Sequence, residues 1–121
     1  MARPKSAKKC AIPSWLSARP DCKEGRFIQV GNSLFLDKRF QSLPQGAQNL
    51  YLCMSLESGG RSEFTFPKKT ATKYGIPESS CRRYINALIK GGFVEVTLNG
   101  KITREENRYK FSMKWKSTKP L

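Results

Sequence analysis

Between residues 78 and 98 the spacing of apolar side chains changes its period at a pair of glycines. Cys81, Ile85, Leu88 and Ile89 stand at i, i+4, i+7 and i+8, one stripe of a 3.6-residue repeat, and Ser79, Arg82, Arg83, Asn86 and Lys90 occupy the opposite side. Gly91 and Gly92 stop this helix, and the β-branched run of residues 93–98 reads as a strand. Tyr109, Phe111, Met113 and Trp115 then alternate with Arg108, Lys110, Ser112, Lys114 and Lys116. That period of two predicts a second, antiparallel strand within residues 107–115, apolar on one face and basic on the other. Residues 99–106 become a looped tip, in preference to a tight turn at Asn99 and Gly100. Helix followed by hairpin dictates an α+β domain in which the apolar stripe packs on the sheet.

Upstream, Phe27, Ile28, Gln29 and Val30 suggest a short extended segment broken at Gly31, Asn32 and Ser33, and residues 37–43 suggest one helical turn. Pro44 opens an amphipathic helix in which Ala47, Leu50, Tyr51 and Met54 recur at helical spacing until Ser58, Gly59 and Gly60. Residues 62–66 alternate as a brief strand closed by Pro67. A second helix covers residues 68–73, and Gly75 ends it in the turn of residues 74–77.

Charge narrows the function. The 121 residues hold 23 Lys and Arg against 9 Asp and Glu, a net charge of +14, whose natural counterparts are polyanions. Residues 26–67 carry 4 basic and 3 acidic side chains, net +1, whereas residues 68–121 carry 13 and 4, net +9, so the binding surface is expected in the second half. With no His, the commonest general base and the Ser-His and Cys-His nucleophile pairs are absent, and the expectation is a protein without enzymatic activity. Cys10, Cys22, Cys53 and Cys81 lack the paired spacing of a zinc site and read as free, mostly structural thiols of a reducing cytoplasm, so neither metal nor cofactor is expected. The apolar stretch of residues 10–16 is short and broken by Pro13 and Ser14, unlike an export signal, and no run approaches the roughly 18 residues of a membrane span. These readings predict a cytoplasmic, nucleoid-associated protein with no membrane partner.

Residues 1–25 are rich in Pro, small and basic residues and predict a largely disordered basic arm, in which the apolar piece around Trp15 could dock on a partner. The domain is assigned to residues 26–116 and a short tail to residues 117–121.

The order of helix, strand, short helix, turn, amphipathic helix and hairpin, together with the stretch from Thr70 to Val94, resembles a winged helix-turn-helix, a three-helix core with a small antiparallel sheet and a wing. Within that stretch Gly75, Ile76, Ser79, Ser80, Cys81, Arg82, Arg83, Leu88, Gly92, Phe93 and Val94 are similar to a common bacterial pattern of small transcriptional regulators and of phage, plasmid and mobile-element replication proteins. Pro77 departs from it where Ser or Thr usually caps the helix, which leaves Ser79 or Ser80 to satisfy the first amides, and Tyr84 departs at a usually small site.

The resemblance implies duplex DNA as the partner, with the third helix in the major groove. Independently, a groove about 12 Å wide admits a helix, and side chains near its N-terminus meet base edges. Ser79, Ser80, Arg82, Arg83 and Asn86 are therefore the base-reading candidates, because the Arg fork matches guanine and Asn pairs with adenine. Lys68, Lys69, Thr70, Lys73 and Lys90 are placed for phosphates. Lys101, Arg104 and Arg108 form a basic wing beside Glu105 and Glu106, and Arg3, Lys5, Lys8 and Lys9 of the arm add charge. Tyr109, Phe111 and Trp115 read as core rather than as a stacking platform, and Ser79 and Ser80 as helix-start residues rather than nucleophiles. One domain discriminates weakly, so a homodimer or a partner protein is expected, with the first helix, residues 27–36 and Trp15 as contact surfaces. Two alternatives compete with transcriptional or replicative DNA binding: an RNA- or ribosome-associated protein, and a winged-helix module for replisome assembly.

Overall fold

A computed structural model describes residues 10–98 and 107–117. At the N-terminal end β1 (Cys10–Ala11) pairs antiparallel with β2 (Lys23–Glu24) around a 3-10 turn at Ser14–Leu16. Where residues 10–25 were expected without regular structure, short-range bonds close a small ladder. The Ile12 amide donates to the Cys22 carbonyl at 2.9 Å, the Ser17 hydroxyl donates to Glu24, and Asp21 accepts from the Lys23 amide at 3.0 Å.

Residues 27–30 form no strand, and the break expected at Gly31, Asn32 and Ser33 instead begins helix α1 (Asn32–Leu36). Both edge strands of the sheet come from later in the chain, so this segment finds no ladder to join. Helix α2 (Lys38–Gln41) follows directly, capped by Asp37, whose carboxylate accepts from the Arg39 amide at 2.9 Å. Helix α3 (Gln45–Ser58) buries Ala47, Leu50, Cys53 and Met54 and ends at Gly59.

Strand β3 (Glu63–Thr65) buries Phe64 between exposed neighbours, and α4 (Lys68–Lys73) runs to Tyr74. Gly75 takes φ +77°, the left-handed geometry expected of it, which lets the Ile76 amide reach the Ala71 carbonyl at 2.9 Å and turns the chain into α5 (Glu78–Lys90). Strand β4 (Val94–Leu98) and strand β5 (Arg108–Phe111) complete a three-stranded antiparallel sheet in the order β3-β5-β4, with a register shift between Val96 and Leu98.

The last strand is shorter than its alternation predicts. Ser112 is buried and Met113 is 57% exposed, reversing the pattern, because the chain leaves the sheet at Phe111 and coils into α6 (Lys114–Ser117). The gain is Trp115, which stacks on Phe93 at 4.8 Å and lies beneath the Arg39 guanidinium. Arg39 also donates to the Trp115 carbonyl at 2.8 Å and to Asp37 at 2.6 Å, tying α6 to α2.

Phe40, Leu50, Met54, Leu88, Phe93 and Val94 form the most enclosed part of the core. Edge-to-face contacts of Tyr51 with Phe93 and Phe111 link α3 to the sheet, and each such pair adds roughly 0.5–1.5 kcal/mol beyond area burial. Tyr109 joins the core from the strand, as its alternation suggested, whereas Trp115 reaches it from α6. The architecture is α+β, helices packed on one small antiparallel sheet. Among the described residues no helix is long and apolar enough to cross a membrane.

Candidate nucleic-acid interface

Helix α5 is held by what it buries. Cys81 and Leu88 enter the core, Ile85 is half-buried, and at 100° per residue Ser79, Arg82, Arg83, Asn86 and Lys90 fall within an arc of roughly 100° on the solvent side. All five are exposed, while Ser80 is half-buried. The Pro77 side chain offers no cap; its carbonyl accepts from the Ser80 and Cys81 amides at 3.0 Å each. Contrary to expectation, neither the Ser79 nor the Ser80 hydroxyl caps the helix among the described residues, because the carbonyl of an extended proline already starts the ladder.

A cleft of about 760 Å³ runs along one side of this face. Ser79, Arg82 and Asn86 line it from α5, Lys68 from α4, and Asn107 from the approach to β5, over a floor that includes Ile85, Ile89 and Val96. Four of the expected contact residues thus share one concavity. Arg83 and Lys90 stand on the same helix face outside it, Lys69 is exposed on α4, Thr70 is half-buried, and Arg108 is exposed at the start of β5. Lys101 and Arg104, with Arg3, Lys5, Lys8 and Lys9, lie outside the described residues.

The acids sort the cations into two groups. Lys73 was expected on phosphate, but its Nζ lies 3.1 Å from Glu57 of α3. The Tyr74 hydroxyl donates to the same carboxylate at 2.6 Å, and Arg26 approaches it at 3.4 Å. The bond from Tyr74, followed by Lys73 and Arg26, holds the Glu57 carboxyl below its usual range. Burial and that same bond push the Tyr74 hydroxyl up to about 12. Lys68 pairs with Glu78 at 3.3 Å, where both side chains are largely exposed, so solvent screens the pair. On the sheet Lys110 sits in register with Glu63 on one side and Glu95 on the other, and Glu95 pairs with Lys114 at 3.7 Å. Lys69, Arg82, Arg83, Lys90 and Arg108 have no carboxylate partner among the described residues, and neither have Lys23, Lys38, Arg61, Lys110 and Lys116 on other surfaces.

Tyr84, the large residue at a usually small site, lies on Gly46 at the start of α3. A Cβ built at Gly46 would stand 2.1 Å from Tyr84 Cζ, so only glycine allows the ring that position. The Arg83 guanidinium lies over the Tyr84 ring, 5.2 Å from its centroid, and Arg83 does not line the cleft.

The sequence offered no signal for Asn107, one residue ahead of an alternating strand, nor for Glu57 as a counter-charge 16 residues before Lys73. The thiols are free where described: Cys53 and Cys81 are buried, and burial pushes both upward, while Cys22 is half-buried. Comparisons with protein-family models, with curated proteins and with solved structures give no match to this chain.

Proposed function

We propose that this chain is a winged-helix protein that binds duplex DNA, with α5 lying in the major groove, and that it acts by occupancy as a transcriptional regulator or as an accessory factor of mobile-element replication. The observation that carries the reading is the exposed face of α5, where Arg82, Arg83 and Lys90 stand beside Ser79 and Asn86 within one arc of the helix and have no carboxylate partner among the described residues. A helix with side chains is 10–12 Å across and matches the groove width. Ser79, Arg82 and Asn86, one turn apart along the cleft wall, are the base readers, with Arg83 at their margin. Lys69, Lys90 and Arg108 meet phosphates, and Lys68 joins them by exchanging its screened partner for a phosphate oxygen. The helix order and the β3-β5-β4 sheet are compatible with the winged-helix assignment.

Fluorescence anisotropy on duplex DNA and on structured RNA across a salt series tests this. These four phosphate contacts give a log-log slope of about −3.6 on duplex, at roughly −0.9 each. The Arg82→Ala/Arg83→Ala/Asn86→Ala variant should fold normally and bind more weakly. A preference for structured RNA, or equal binding by wild type and variant, would overturn the assignment of α5.

A further inference from the structure

On the other side of α3 the chain carries an apolar groove of about 820 Å³, bounded by residues 27–31, the outer face of α3 and the end of β5. Leu52, Leu56 and Phe111 line it, and Phe27, Val30 and Met113 at its margin are 42%, 38% and 57% exposed. Elsewhere the same chain projects an apolar knob: Trp15 is 80% and Leu16 65% exposed on the 3-10 turn. This turn is held in place, since the Leu16 amide donates to the Pro13 carbonyl at 2.9 Å and Ser17 anchors Glu24 of β2. We infer that the turn bearing Trp15 and Leu16 in one copy seats in the groove of a second copy.

Charge complementarity selects that occupant. Arg61 is the only charged residue among those lining the groove, and its guanidinium has no carboxylate partner among the described residues. Beside the knob, Glu24 accepts from the Ser17 hydroxyl and has no cation partner among the described residues. The knob thus brings an acid and the groove a cation, so the apolar contact supplies affinity and the ion pair supplies register. Knob and groove are different surfaces, so two copies either exchange knobs reciprocally in a closed pair or join head-to-tail in a larger assembly, and both arrangements bury the same contact.

Two copies of charge +14 repel at low salt. Association therefore appears when that repulsion is screened, either by salt, which shortens the Debye length from about 10 Å at 0.1 M to about 3 Å at 1 M, or by a polyanion. The polyanion arm rests on the proposed DNA binding; the salt arm does not.

Sedimentation of the full chain without nucleic acid, at 0.1 and 1 M salt over a range of protein concentrations, tests the docking directly. Wild type should be monomeric at low salt and form dimers or larger species at 1 M, and Trp15→Ser should weaken association roughly 30-fold, as loss of an interface anchor does. On DNA, binding to a long duplex should be cooperative, and binding to a duplex that admits one copy should not. Glu24→Lys and Arg61→Glu should each reduce that cooperativity, and the two together should restore it, while single-copy binding changes little. If no duplex is bound yet wild type assembles at 1 M, the DNA reading fails and the docking stands. A monomer at 1 M, an assembly unaffected by Trp15→Ser, or concentration-independent burial of Trp15 in its own groove overturns the docking.

Discussion

The division between paired and unpaired cations makes a quantitative prediction about salt. Lys69 and Lys90 are exposed and lack a carboxylate partner among the described residues, whereas Lys73 is tied to Glu57. Each phosphate contact contributes about 0.9 to the slope of log affinity against log salt on duplex DNA, so Lys69→Ala/Lys90→Ala should flatten it by about 1.8. For a fourfold rise in salt, that difference narrows the gap between wild type and variant about 12-fold. Lys73→Ala should leave the slope unchanged. Its cost falls on folding instead, and stays below about 1 kcal/mol because the lysine side chain is 58% exposed. Glu57→Gln supplies the converse: with the carboxylate gone, Lys73 becomes available, and the slope should steepen by up to about 0.9. Anisotropy titrations on one random duplex at five or more salt concentrations measure all four proteins. If Lys73→Ala flattens the slope by about 0.9, half the effect of the double variant, the claim that Glu57 withholds Lys73 from DNA is refuted.

The Arg39 side-chain bond to Asp37 lowers its carboxyl from an ordinary 3.8 to about 2, so the stability it contributes is complete above 3.8 and is lost as pH falls through about 2. Acid unfolding followed by tryptophan fluorescence should lose part of its dependence in that window in Asp37→Asn, and an unchanged profile would remove Asp37 from the account. Gly46→Ala should overpack the Tyr84 ring at a cost of roughly 1–3 kcal/mol, against about 1 kcal/mol gained in helix propensity. Tyr84→Ala in that background should recover the propensity gain, and strict additivity of the two substitutions in urea unfolding would show that the side chains do not meet. Leu88→Ala, at a fully enclosed position of α5, should cost roughly 2–5 kcal/mol by the same measurement; a loss under about 1 kcal/mol would mean that α5 is not anchored there.

Much of the frame was legible because it is local. The apolar stripe of residues 78–90 and the glycines behind it mark α5 to the residue, and Lys68–Lys73 follows from Pro67 and Gly75 in the same way. A helix stripe or an alternating strand is written within a few turns of chain, so reading it needs no knowledge of what it packs against. The short ladder of residues 10–25 was missed for the opposite reason: its composition suggests disorder, and the pairing of β1 with β2, the Ile12 bond to Cys22 and the side-chain bonds of Ser17 and Asp21 carry no periodic mark in the sequence.

What the sequence by itself determined is therefore the α+β class, the bounds of the main helices, the core aromatics and the concentration of positive charge after residue 67. Tertiary structure alone decided which charges remain available. Glu57 reaches Lys73, Tyr74 and Arg26 only because α3 packs beside α4, and Trp115 leaves the alternating pattern only because Phe93 and Arg39 wait on other elements. The same holds for Asn107 on the cleft wall and Arg61 in the apolar groove. The energies of such contacts are set by separations through space, and residues distant along the chain carry no periodic mark of the partner that folding will bring to them.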